Sequence, residues 1–196
     1  MPRLDRTFFV RDTLRVAREL LGQRLVRAWA GQRIAGRIVE AEAYIGQDDA
    51  ACHASRGRTA RNAVMFGPAG HAYVYLIYGM HYCFNIVTEV DGFAAAVLVR
   101  ALQPIESLEV MRSRRPGRSD GELTNGPAKL CSALVIDRAL NGADLVTGDE
   151  LWVEEDDPVP EAWVSTGVRV GVRGDTRALT VPWRFWVRDN PYVSRG

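Results

Sequence analysis

The stretch Ile38-Val39-Glu40-Ala41-Glu42-Ala43-Tyr44 alternates two carboxylates and a phenol with small apolar residues. Successive side chains of a strand turn to opposite faces, so Glu40, Glu42 and Tyr44 share one face while Val39, Ala41 and Ala43 take the other, the core side. About thirty residues later, Tyr73-Val74-Tyr75-Leu76-Ile77-Tyr78-Gly79 sets three tyrosines on a run of strand formers that ends in a turn. Strand parity groups Tyr73 with Tyr75, whereas Tyr78 is out of phase, belongs to the turn and points along the hairpin axis. Aromatic rings beside one carboxylate make a pocket suited to a planar base. Each half also has an ordinary reading, glutamates facing water from a half-buried strand and tyrosines packing a sheet. Tyr78 fits the ordinary reading least, because a large ring in a hairpin turn is exposed unless something packs on it.

Other chemistries find less support. His53, His71 and His81 together with Cys52 and Cys83 offer metal-binding atoms, but no Cys-x-x-Cys, His-x-x-x-His or repeated ligand pair occurs, so no metal is expected. Gly67, Gly70 and Gly79 make neither a phosphate loop nor a dinucleotide fingerprint, and no nucleophile elbow for acyl transfer is expected. Lys129 is the only lysine, which leaves Schiff-base chemistry with that amine or the terminal one.

The elements that must position these groups are legible in outline. Asp12 can cap a helix over 12–21, with Leu14, Ala17, Leu20 and Leu21 at helical spacing and Gly22 as its stop. Leu25 to Trp29 and Ile34 to Tyr44 read as paired strands turning at Gly31-Gln32. Gly46 to Gly70 reads as a long ordered loop with Val64-Met65-Phe66 as its apolar anchor, a length that marks functional loops. A hairpin over 72–88 follows, then a buried strand from Phe93 to Leu102 broken only by Arg100. Pro104 is expected to open a helix through Met111, and Arg112 to Gly121 to form a basic, flexible loop. Asn125-Gly126-Pro127 starts a short helix over 128–134 whose first amides can hold a phosphate. Strand signals at 151–153, 164–172 and 183–187 complete a single α+β domain built on antiparallel sheet.

Bulk properties bound the rest. The length of 196 residues and 47% hydrophobic content suit one domain with a real core. No run approaches the roughly 18 apolar residues of a membrane span, and Met1-Pro2-Arg3-Leu4-Asp5-Arg6 lacks a signal-peptide pattern, so no membrane association and a cytoplasmic location are expected. Three cysteines, odd in number and far apart, fit reduced thiols. A net charge of +1 excludes a non-specific nucleic-acid coat and demands a local basic face for any DNA contact.

Eight segments occur in one order: Glu-Ala-Glu-Ala-Tyr at 40–44, Ala-Cys-His at 51–53, Arg-Asn at 61–62, Tyr-Val-Tyr-Leu-Ile-Tyr-Gly-Met at 73–80, Asn85, Leu-Val-Arg-Ala-Leu at 98–102, Asn-Gly-Pro-Ala-Lys-Leu-Cys at 125–131 and Arg-Val-Gly-Val at 169–172. Together they resemble the alkyladenine (3-methyladenine) DNA glycosylase family of the mammalian type, from about Phe8 to Ser194. The resemblance implies one compact domain over 1–196, a curved antiparallel sheet with flanking helices and a protruding β-hairpin. It implies a monofunctional, cofactor-free monomer that acts in base-excision repair on damaged double-stranded DNA at the bacterial nucleoid. Its lesions would be alkylated or deaminated purines of the 3-methyladenine, 7-methylguanine, hypoxanthine and etheno-adenine class.

Roles carry over residue by residue. Glu42, not Glu40, matches the water-activating glutamate, with Arg100 and the backbone of Val170 matching the positions that hold the water. Tyr44, His53 and Tyr75 match the walls around a flipped purine, Asn85 the filter against guanine, and Tyr78 the intercalating wedge. Lys129 and the amides from Gly126 match phosphate contacts, with Arg56, Arg58 and Arg61 as secondary candidates. His81 in place of the usual tyrosine, a 55–62 loop one residue short and Asn125 for serine set this chain apart. A module that binds modified bases without cleaving them would keep the tyrosines but leave Glu42 without a task.

Overall fold

In the computed structural model, which describes residues 1–194, the β-branched and aromatic runs pair into one eight-stranded sheet in which each pairing is antiparallel. The strands are β1 (Arg24–Trp29), β2 (Gln32–Ile45), β3 (Ala72–Ile77), β4 (His81–Val87), β5 (Ala95–Glu106), β6 (Leu151–Glu154), β7 (Val164–Gly167) and β8 (Arg184–Val187). Their main order is β3-β4-β5-β2-β1-β6, with β8 paired to β2 and β7 to β8. The long strand β2 is the spine: β1 and then β8 follow one of its edges, and β5 follows the other. Residues 34–43 of β2 are buried on both faces apart from Arg37, so Glu40 and Glu42 do not face water. A strand covered on both sides reads differently from the half-buried strand that alternation suggests.

Among the described residues five short helices flank the sheet: α1 (Arg6–Phe9), α2 (Thr13–Glu19), α3 (Leu108–Arg114), α4 (Pro127–Ala133) and α5 (Thr176–Thr180). Asp12 caps α2 by accepting the Arg15 amide, and α2 lays Val16 and Ala17 on β2 and β5. Helix α4, with Pro127 in its first turn, covers β4 and β5. The α+β class is therefore as expected, while α1 and α5, capped by Asp5 and Asp175, went unpredicted.

Several boundaries differ from the sequence reading. The β1–β2 turn is Ala30-Gly31, both left-handed at φ 50° and 76°, not Gly31-Gln32. Pro104 lies inside β5 rather than at a helix start. It sits opposite Gly36 beside a register shift, beyond the reach of β4, where a missing N–H leaves no ladder bond unmade. Helix α3 begins four residues later and takes in Arg112, which pairs with Asp120 at 2.7 Å across the supposed basic loop. Gly117-Arg118-Ser119-Asp120-Gly121 does carry the Gly-x-Ser-x-Gly spacing, but Ser119 caps an exposed 3-10 turn with Glu122 and follows a helix rather than a strand. The strand signal at 164–172 ends at Gly167.

The main core joins Phe9, α2, α4 and the inner sides of β2, β4 and β5. A second cluster, Cys52, Ala54, Met65, Tyr73, Val87, Ala94 and Ala96, ties the 46–70 loop to the sheet. Met65, the anchor predicted for that loop, is 2% exposed, and 3-10 turns at His53–Arg56 and Ala63–Phe66 order the rest. All three cysteines are buried and unpaired. No helix among the described residues is long and apolar enough to cross a membrane.

Candidate active site

The carboxylates of β2 meet Arg100 of β5 through two compensating slips in register. Ile38 pairs with Leu102, Glu40 with Ala101 and Ala41 with Val99, so Val39 and Arg100 have no partners across the ladder. Bulges re-aim side chains, and this pair turns Arg100 between two glutamates. Its Nε donates to Glu40 Oε1 at 2.7 Å, and its Nη1 lies 3.2 Å from Glu42 Oε1. Glu42 is fully buried, accepting the Val170 amide on Oε1 at 2.7 Å and the Tyr44 hydroxyl on Oε2 at 2.9 Å. Burial raises the Glu42 pKa above the ordinary carboxylate value, opposed by Arg100, the Val170 N–H and the Tyr44 hydroxyl and assisted by the charge of Glu40. Burial holds Tyr44 well above the ordinary phenol range, so its proton stays in place to donate.

A cleft of about 400 Å³ opens over this group. Tyr44, Arg100 and Val170 line it, so the three partners of Glu42 form wall while Glu42 lies one layer beneath. His53, Tyr73 and Tyr75 make the aromatic part of the wall. His53 and Tyr75 pack edge to face with centroids 4.5 Å apart, and His53 Nδ1 lies 2.8 Å from the Tyr73 hydroxyl. Packing of the ring, with Arg61 nearby, lowers the His53 pKa and favours neutral imidazole. Asn85 is 4% exposed in the same wall, its amide donating to the Tyr73 carbonyl at 3.0 Å. Cys83 also lines the cleft, with burial raising its thiol and so disfavouring a thiolate.

The segment that supplies Val170 is held by a buried ion pair. Arg169 makes a two-pronged contact with Asp49, Nη1 to Oδ2 at 2.6 Å and Nη2 to Oδ1 at 2.8 Å, and donates to the Ala43 carbonyl at 3.0 Å. Its guanidinium lies 4.8 Å from the Tyr44 ring centre and 5.1 Å from that of Trp183. One side chain thus backs the Tyr44 ring and anchors the residue next to Val170.

Tyr78 stands at the rim, 82% exposed, in a hairpin tip where it and Gly79 both have positive φ, 53° and 72°. Lys129 donates to Asn125 Oδ1 at 2.8 Å; neither it nor Gly126 lines the cleft, although Pro127 does. Arg56 and Arg58 are exposed on the 46–70 loop, Arg58 lying over the Phe66 ring at 5.8 Å. Among the described residues, no three His, Cys, Asp or Glu side chains gather as a metal site.

Tyr44, His53, Tyr75, Asn85, Arg100 and Val170 therefore line one cleft with Tyr78 at its edge and Glu42 directly behind its wall, whereas Arg56, Arg58, Lys129 and Gly126 lie outside it. Sequence reasoning missed Tyr73 as a wall residue and partner of His53, the Arg169–Asp49 pair, and the burial of Glu40. The arginine in Arg-Val-Gly-Val was visible, but nothing in its spacing pointed to Asp49, 120 residues away.

The chain matches the methylpurine-DNA glycosylase family over residues 7–191. It is 54% identical over 196 residues to a candidate 3-methyladenine DNA glycosylase of Methanocella arvoryzae, covering 100% of this chain and 97% of that one. Like-named proteins of Carboxydothermus hydrogenoformans and Myxococcus xanthus are 49% and 52% identical, each over 98% of this chain and over 98% and 94% of their own.

Proposed function

The chain belongs to the methylpurine-DNA glycosylase family, hydrolases of the N-glycosidic bond in DNA, and on that premise we propose that it flips a damaged purine into the aromatic cleft and hydrolyses its bond to deoxyribose with a water activated by Glu42. The observation that carries the reading is the sealed Glu42 carboxylate, whose three partners form the cleft wall. A base inside a duplex is shielded from attack, so it must leave the stack, at a cost of a few kcal/mol, while Tyr78 fills the gap. Tyr44 on one side and His53 with Tyr75 on the other sandwich the purine, each stacked ring contributing about 1–3 kcal/mol. Cationic alkylated purines gain cation–π attraction as well, and leave without needing an acid. Asn85, pinned by its bond to Tyr73, crowds the exocyclic amine of guanine.

As the glycosidic bond breaks, positive charge builds on the sugar. The Glu42 carboxylate takes a proton from the attacking water and faces that charge, while Arg100 and the Val170 carbonyl orient the water; the Val170 N–H is already engaged by Glu42. The only lysine bonds Asn125 outside the cleft, which favours simple hydrolysis without strand cleavage. Lys129, the amide of Gly126, Arg56 and Arg58 grip backbone phosphates. The substrates are 3-methyladenine, 7-methylguanine, hypoxanthine and etheno-adenine, excised at the nucleoid in the cytoplasm by a monomer that acts as one domain over 1–196.

Oligonucleotides bearing one such lesion, treated with protein and then alkali, are expected to break at the lesion and not at undamaged purines. Glu42→Gln is expected to keep binding lesion DNA while losing about 10²–10⁴ in single-turnover rate. No abasic product from any of the four lesions overturns the substrate assignment, and an undiminished Glu42→Gln rate overturns the role of Glu42.

A further inference from the structure

We propose that Glu40 is a positioning residue for this hydrolysis, one that fixes Arg100 so that its free edge addresses Glu42 and the water beside it. The proposal rests on Glu42 acting as the general base. Glu40 is fully buried and collects four donors. Arg100 Nε and Arg184 Nε both lie 2.7 Å from Oε1, the Ser194 hydroxyl donates to Oε1 at 2.8 Å, and the Ser194 amide donates to Oε2 at 2.7 Å. Arg100 Nη2 in turn donates to the Ser194 hydroxyl at 3.2 Å.

A guanidinium is a rigid planar fork, so fixing two of its nitrogens fixes the third. With Nε held by Glu40 and Nη2 by Ser194, Nη1 is left aimed at Glu42, 3.2 Å away. The arrangement also needs the charge of Glu40. Two cations, Arg100 and Arg184, share one carboxylate oxygen, and without the anion between them they repel. Arg100 occupies a bulge with no ladder partner across β2, so the backbone pairing there does not hold it against that push. Glu40 itself does not line the cleft and touches no substrate; it acts through Arg100.

The test uses the full chain and a 3-methyladenine or hypoxanthine duplex, measuring the single-turnover rate and equilibrium binding separately for Glu40→Gln, Glu40→Asp and Glu42→Gln. Glu40→Gln is expected to cut the rate about 10–100-fold, with binding held within about threefold. Glu40→Asp, which keeps the charge, is expected to recover part of that rate. A folded Glu40→Gln variant that cleaves within about threefold of the parent overturns the proposal, as does a rate loss matched by an equal loss of binding. Ser194→Ala, which removes only the hydroxyl shared by Glu40 and Arg100, serves if Glu40→Gln fails to fold; a rate unchanged within about twofold then overturns the proposal. If Glu42→Gln is inactive while the Glu40 variants are silent, the general-base reading stands and this inference alone falls.

Discussion

A carboxylate with no exposed surface must either hold a proton or be met by positive charge and donors. Glu42 is met on both oxygens, and burial still leaves its pKa above the ordinary 4.5. A general base works only when deprotonated, so cleavage of a cationic lesion should rise with pH through a midpoint above 4.5 and then level. Packing of the ring, with Arg61 nearby, lowers the His53 pKa below the ordinary 6.5, which favours neutral imidazole beside it. A single-turnover pH profile measures the midpoint, and a plateau that persists below pH 4.5 contradicts the role of Glu42. At this scale the sequence was only half informative. Alternation put Glu40 and Glu42 on one face without separating them, and it was the resemblance that singled out Glu42. The separation is physical: both carboxylates hold Arg100, but Glu42 also bonds the wall residues Tyr44 and Val170, whereas the other partners of Glu40, Arg184 and Ser194, do not line the cleft.

At the scale of the element, the β3–β4 hairpin carries a feature its own stability does not require. Tyr78 is 82% exposed and holds φ 53°, a region where a bulky residue costs about 1 kcal/mol and asparagine less. With most of its surface in solvent the ring gains little from packing, which suits a ring that acts outside the molecule. Tyr78→Asn is therefore expected to leave the melting temperature within about 2 °C of the parent or to raise it, while lowering lesion cleavage about tenfold or more. Calorimetry beside the cleavage assay checks both halves, and a large fall in melting temperature would make Tyr78 a packing residue. The hairpin was legible because its signals are local: strand formers, parity and a Gly after the turn tyrosine. Pro104 was misread because an early-helix proline and a bulge proline look alike until the neighbouring strand is known.

At the scale of the whole molecule, charge ties distant parts of the sheet together. Glu154 at the end of β6 takes both terminal nitrogens of Arg33, at 2.7 and 2.6 Å, and the Trp152 indole N–H at 2.7 Å. Arg33 beside it brings the Glu154 pKa from 4.5 down to about 2. A carboxylate lowered in the folded state adds stability above its unfolded pKa and loses it as pH falls through the folded one. Glu154→Gln should thus melt about 2–8 °C below the parent at neutral pH, allowing for the partly exposed Arg33. That gap should close as pH falls from 4.5 to about 2, and a gap independent of pH would show that Glu154 contributes by packing alone. The sequence by itself determined the α+β class, the hairpin with its exposed tyrosine, the buried strand around Arg100 and, through ordered motifs, the family. These are set by local alternation, turn chemistry and short patterns, which need no knowledge of distant neighbours. Only the tertiary structure decided that Glu40 is buried, that Arg100 joins two carboxylates, that Arg169 clamps Asp49 behind Tyr44, and that Lys129 stands outside the cleft. Each of these depends on the register of β2 against β5 and on segments more than 50 residues apart, or on which face another element happens to cover, and no spacing within one segment encodes that.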